Sequence, residues 1–157
     1  MYEMRRKKQQ MSYDEAVSIL NSGKTGVLEV CGGDEPYAVP LNYVYYNEKL
    51  YFHCAPVGRK LDEISRNGKV SFCVVAEDDV VPERFTTRYR SVIANGFASV
   101  LPRDDEFYAA IRAIAAKYSP NVSDELRENE IEKYADKMNI IAVEITQITG
   151  KKGLVLC

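Results

Sequence analysis

Apolar residues recur at every second position in six stretches of the chain and at every third or fourth in four others. The period-two stretches predict strands at 26–31, 36–46, 49–54, 69–76, 89–101 and 139–148. The clearest is Pro36 to Tyr46, with Tyr37, Val39, Leu41, Tyr43 and Tyr45 on one side and Ala38, Pro40, Asn42 and Val44 on the other. Pro40 cannot donate to a ladder, so it implies an edge, a bulge or an interrupted pairing. Gly32-Gly33-Asp34 and Asn47-Glu48 mark turns, which makes the first three strands a meander. Glu77-Asp78-Asp79 with Pro82 marks a loop, and Asn95-Gly96 a kink in the fifth strand.

Helical spacing appears in four places. Ser12 and Glu15 form a capping box that opens a helix to about Asn21. Gly58 to Arg66 buries Leu61 and Ile64, and Asn67-Gly68 stops it. Asp104 caps a helix that places Phe107, Ile111, Ile114, Ala115 and Tyr118 on one face, and a polar helix follows from about 123 to 137. About six antiparallel strands with peripheral helices predict a mainly β fold, a β-barrel. A doubly wound sheet would need β–α–β crossovers near the start, and these are missing.

At 157 residues, 46% hydrophobic and 28% charged, the chain fits one domain. Its span is 12–153, between a flexible basic arm (1–11) and a short tail (154–157). A net charge of −2 provides no general attraction to nucleic acid or an anionic membrane, so an anion site must come from local cations. No apolar run of signal-peptide or membrane-span length follows the basic start, which predicts a soluble cytoplasmic protein. Cys31, Cys54, Cys73 and Cys157 are widely spaced and form no C-x-x-C pair, so reduced, structural thiols are expected.

His53 is the sole histidine. Cys54 beside it points to the opposite face of a strand, which opposes both a nucleophile–base pair and a metal site. Arg59-Lys60 is more informative. The pair begins a helix, where free amides and the dipole favour an anion and the two side chains offer a fork and a point charge to a phosphate. No P-loop or G-x-G-x-x-G accompanies it. Near Pro40, free backbone groups and Asn42 can hydrogen-bond the edge of a flat heteroaromatic ring.

V-P-L-N-Y-V-Y, L-Y-F-H-C-A-P-V-G-R-K-L-D, Y-R-S-V-I-A-N-G-F-A and I-T-G-K-K-G, in this order, resemble the pyridoxamine 5'-phosphate oxidase-like FMN-binding split barrels, in particular their nitroimidazole-resistance (Nim-like) branch. The resemblance covers about residues 12 to 153. It implies a homodimer with FMN in two interface grooves. Val39, Pro40, Leu41 and Asn42 would line the isoalloxazine, His53, Cys54 and Ala55 would pass beside the ring, and Arg59 and Lys60 would hold the phosphate. The second subunit would bring Tyr89, Arg90, Ser91 and Val92, with Gly150 and Lys151 near the phosphate or ring end. The resemblance also implies a flavoprotein oxidoreductase acting on a small nitroaromatic or other acceptor. His53 would face the substrate, and NAD(P)H or a separate reductase would donate electrons. The C-terminal Arg and His of true pyridoxamine-phosphate oxidases have no counterpart in G-K-K-G-L-V-L-C, which opposes vitamin B6 oxidation. Three rival readings are a flavin- or haem-binding module without turnover, a pyridoxamine-phosphate-oxidase-related enzyme with a different substrate, and a plain structural homodimer.

Overall fold

The computed structural model describes residues 3–154. Strands β1 (Thr25–Val30), β2 (Tyr37–Asn42), β3 (Val44–Tyr46), β4 (Lys49–Cys54), β5 (Lys69–Val81), β6 (Thr86–Val100) and β7 (Asn139–Lys152) form one antiparallel sheet. Helices α1 (Tyr13–Ser22), α2 (Arg59–Arg66), α3 (Asp105–Tyr118) and α4 (Asp124–Tyr134) surround it. The strand order is β2-β1-β5-β6-β7-β4-β3, so β2 and β3, neighbours in sequence, occupy opposite edges. Only Tyr43 separates them. Asn42 and Val44 lie at most about 7 Å apart through the chain. The edges must therefore converge, and the sheet curls into a barrel split between β2 and β3.

The strand expected over 36–46 is thus two strands, and the expected meander is a set of hairpins, with β4 paired to β3 on one side and to β7 on the other. The break falls at Tyr43 because its backbone is served from α3. Tyr43 N donates to the Tyr118 hydroxyl (2.9 Å), and Tyr43 O accepts from Lys117 Nζ (2.9 Å) and is 2.8 Å from the Tyr118 hydroxyl. The ladder at Pro40 is unbroken. Pro40 sits opposite Val27 in a continuous register, and β2 is an edge strand with, among the described residues, no partner strand on one side, where a missing N–H costs no ladder bond.

The acidic run expected as a loop belongs to β5. Glu77 and Asp79 are held across the hairpin by Arg90 (3.4 Å) and Arg88 Nε (3.0 Å). The kink at Asn95-Gly96 is a bulge against β7, where a Cβ on Gly96 would lie 2.2 Å from the Glu144 carbonyl oxygen. The end of the basic arm is docked rather than loose: Gln9 and Met11 are buried, and Met11 N donates to Gly150 O (2.9 Å). Residues 1–2 and 155–157, Cys157 among them, lie outside the described residues.

Alternation along the strands creates two cores. Inside the barrel, Leu28, Phe52, Phe72, Val92 and Ile141 pack with Ala16 and Leu20 of α1. On the outer face of β3, β4 and β7, Val44, Tyr51, Ile140 and Ala142 pack under α3 and α4 through Phe107, Ile111 and Ile131. Among the described residues no helix is long and apolar enough to cross a membrane.

Candidate functional site

Strand β4 buries Leu50, Phe52 and Cys54 in the barrel and leaves His53 exposed on the outer face, opposite Ile140 of β7. His53 lines a cavity of about 530 Å³ between the sheet, α3 and α4. Cys54 faces the other way, and burial pushes its thiol up, an effect that the nearby Lys60 charge partly opposes. A neutral buried thiol on the opposite face cannot pair with His53. Among the described residues no group of three or more His, Cys, Asp or Glu side chains is placed to hold a metal ion.

After β4 the chain runs through exposed Ala55, Pro56 and Val57 to Gly58, whose φ of +143° favours glycine although a Cβ there would meet nothing within 4 Å. Gly58 O accepts from Leu61 N (2.9 Å) and Asp62 N (3.3 Å), opening α2. The amides of Arg59 and Lys60, in its first turn, have no intrahelical acceptor. Lys60 is half-buried and, among the described residues, makes no ion pair. Arg59 is already engaged: its Nη2 is 3.7 Å from Glu35, its Nε is 3.4 Å from Glu63, and its guanidinium lies 4.7 Å from the Tyr37 ring centroid. That stacking ties the start of α2 to β2.

Glu63 had no place in the sequence reading. It is buried and accepts from Gly32 N and Gly33 N, both at 2.7 Å, clasping the β1–β2 turn under α2. The Gly32 amide, chiefly, holds its carboxyl below the usual carboxylate range. Its i,i+4 spacing from Arg59 is the one local signal of this role.

The remaining predicted residues divide between the two faces of the sheet. Register places Pro40, Val27, Cys73, Ile93 and Thr149 in one row across five strands, and Val75, Ser91 and Lys151 in the next. Residues directly opposite share a face. Pro40, Asn42, Ser91 and Lys151 therefore stand with the exposed Val27, Val75 and Ile93 on an outer surface. Asn42 Oδ1 accepts from the Thr25 hydroxyl there (3.2 Å).

Val92 and Gly150, opposite each other, face the interior instead. Val92 is fully buried, and a Cβ on Gly150 would lie 2.8 Å from Met11 Cε. Val39 and Leu41 likewise pack on the interior cluster, so at the open edge of β2 they offer main chain. The side chains of Val39, Leu41, Val92 and Cys54 are packing groups, because alternation turns every second residue inward. Tyr89 is half-buried with Lys151 Nζ 5.4 Å from its ring centroid, and exposed Arg90 pairs with Glu77.

A profile of the pyridoxamine 5'-phosphate oxidase family matches residues 12–152. The chain belongs to the pyridoxamine 5'-phosphate oxidase family. Among solved structures, this family member is similar to a candidate 5-nitroimidazole antibiotic resistance protein from Bacteroides thetaiotaomicron (22% identity, 91% of this chain and 86% of that one, TM-score 0.75). It is also similar to two proteins of Mycobacterium smegmatis. One is an FAD and heme binding protein (18% identity, 94% and 74% covered, TM-score 0.77), the other an FAD binding protein (25% identity, 92% and 98% covered, TM-score 0.62). These likenesses establish the split-barrel fold. Among curated proteins, an uncharacterised protein of Rhizobium meliloti (strain 1021) is 29% identical over 92 residues, 59% of this chain, and the match spans 56% of that relative's length.

Proposed function

We propose that this member of the pyridoxamine 5'-phosphate oxidase family is a flavin-dependent oxidoreductase that binds FMN at the interface of a homodimer and reduces a small acceptor such as a nitroaromatic. The observation that carries the reading is the start of α2, where Lys60, unpaired with any described carboxylate, stands with two open amides after the short loop 55–58 that follows strand β4. That donor set fits a phosphate. Arg59 joins it by releasing Glu35, whose side chain is 82% exposed, while the buried Glu63 stays on its glycine amides. The open edge of β2, with Asn42, fits the hydrogen-bonding rim of a flavin ring.

The dimer draws support from the uncovered sheet face. Val27, Val75, Ile93 and Phe97 are exposed there, and Phe85 at the β5–β6 hairpin tip is 98% exposed. Apolar side chains in such number on one face mark an interaction surface. In the pairing proposed here, Tyr89, Ser91 and Lys151 of one subunit complete the groove of the other. When bound, the flavin supplies two-electron redox chemistry. His53, on the outer face under α3 and α4, orients the acceptor or delivers a proton to it. Electrons come from NAD(P)H, directly or through a separate reductase. A second reading, flavin binding without turnover, is favoured by the names of the M. smegmatis neighbours, which describe binding alone.

The test uses purified protein. FMN is expected to bind at one equivalent per chain, with light scattering giving twice the chain mass. A colourless protein that ignores added FMN overturns the proposal. Anaerobic reoxidation of the reduced, protein-bound flavin by a nitroaromatic, no faster than that of free FMN, leaves only the binding module.

A further inference from the structure

Where β7 ends, the edge of β6 floors a polar notch. Gly153 N donates to Tyr89 O (2.9 Å), and beyond that bond β6 runs on to Thr86 with, among the described residues, β5 as its one partner strand. The docked arm forms the opposite wall, anchored where Gln10 bridges to Lys151. Arg6 and Gln9 from the arm, Asp78 from β5, and Thr86, Thr87 and Tyr89 from β6 line the resulting cavity. At about 460 Å³ it falls within the size range of small-molecule sites. Its walls hold unspent hydrogen-bonding groups. Gln9 is only 4% exposed; its Oε1 accepts from Arg6 Nη1 (3.4 Å), and its Nε2 meets no acceptor among the described residues. The described orphans sealed from solvent are Tyr43 Oη and Arg127 Nε, so the Gln9 nitrogen keeps an opening, and the cavity that Gln9 lines provides it. Among the described residues the Arg6 guanidinium has no carboxylate partner, Asp78 has no cation, and the Thr86 and Thr87 hydroxyls make no hydrogen bond.

We propose that this notch binds a phosphorylated ribose, its phosphate on Arg6 and the Gln9 side-chain amide and its hydroxyls on Asp78, Thr86 and Thr87. A guanidinium beside an amide donor matches an anion. A carboxylate in the same cavity opposes a ligand that is anionic throughout, but it accepts from sugar hydroxyls, as acidic residues do from ribose in dinucleotide sites. Threonine hydroxyls both donate and accept, which suits a polyol. An apolar ligand would strand all of these groups. The notch shares Tyr89 with the flavin groove proposed above, and none of its lining residues belongs to α2 or β2, so the two sites can be separated by experiment.

Calorimetric titration of the purified protein with ribose 5-phosphate, with and without FMN, tests it, with ribose, inorganic phosphate and AMP as parallel titrants. One saturable site per chain is expected, with ribose 5-phosphate at least about tenfold tighter than ribose or phosphate alone. Arg6→Ala and Asp78→Asn, both at exposed positions where the fold should be kept, are each expected to weaken it about tenfold. Arg5→Ala removes the same charge one residue away and is expected to bind as wild type. AMP binding at least as tightly as the sugar phosphate identifies a nucleotide as the source of the group, and AMP failing where the sugar phosphate binds identifies a free sugar phosphate. Absence of saturable binding, inorganic phosphate binding as tightly as ribose 5-phosphate, or wild-type affinity in either the Arg6 or the Asp78 variant overturns the proposal, as does displacement of ribose 5-phosphate by FMN. FMN binding without ribose 5-phosphate binding removes this site alone, whereas the reverse removes the flavin reading alone.

Discussion

Tyr118→Phe deletes one oxygen from the point where the barrel closes. The Tyr118 hydroxyl accepts from Tyr43 N (2.9 Å) and reaches the carbonyls of Lys24 and Tyr43. Because Lys117 Nζ already serves Tyr43 O (2.9 Å), the hydroxyl proton is best spent on Lys24 O. Phenylalanine keeps the ring and removes both bonds. Tyr43 is fully buried, so its backbone N–H is left without an acceptor. Two lost hydrogen bonds, one leaving a buried orphan, predict a destabilisation of about 2–3 kcal/mol. For a domain of this size that corresponds to a fall in Tm of about 4–12 °C. Urea unfolding followed by far-UV circular dichroism measures it, with the slope against urea unchanged. Tyr46→Phe, at an exposed tyrosine on the neighbouring strand, is the control and is expected to lie within about 0.5 kcal/mol of wild type. A Tyr118→Phe variant as stable as that control would refute the claim that the seam depends on this hydroxyl.

Lys60→Ala is expected to weaken FMN by about 1.5–3 kcal/mol, roughly 10- to 150-fold, through loss of a charge-assisted phosphate contact. Flavin fluorescence quenching reads this, and unchanged affinity removes Lys60 from the site. His53→Ala is expected to keep FMN bound and to alter turnover or acceptor KM, so wild-type kinetics would make His53 a surface residue. The Glu63 carboxyl is held below its usual value in the fold, so its stabilisation is complete above the unfolded value of about 4.3 and is lost as pH falls through the lower folded value. Unfolding midpoints from pH 7 to pH 3 should therefore fall less steeply for Glu63→Gln than for wild type. Equal slopes would show that the clasp on Gly32 and Gly33 does not titrate with the fold.

Much of this architecture was legible because short-range physics decides it. The Ser12–Glu15 capping box forms as its spacing requires, with Ser12 N to Glu15 Oε2 at 2.9 Å and Glu15 N to Ser12 Oγ at 3.2 Å. Asp104 caps α3 through Phe107 N (3.1 Å). The opposed directions of His53 and Cys54 follow from the pleat alone. The acidic run Glu77-Asp78-Asp79 reads as a loop in sequence because its strand character depends on Arg88 and Arg90 across the hairpin, and propensity within a few residues does not register a cross-strand ion pair.

Local pattern thus determined the strands, the helices with their caps, and the cationic start of α2, since each depends on residues within a few positions of one another. Tertiary structure decided the rest. It placed β2 and β3 on opposite edges, because a single residue, Tyr43, can cross between them only where the side chains of Lys117 and Tyr118 satisfy its backbone. It sorted the candidate residues into those that face outward and those that fill the barrel, which alternation alone cannot do until one face is known to be enclosed. It also left the face bearing Pro40, Ser91 and Lys151 uncovered while roofing His53 with α3 and α4. Both outcomes are set by which strands lie side by side, and strand order depends on pairings that join residues as far apart as Lys49 and Glu144.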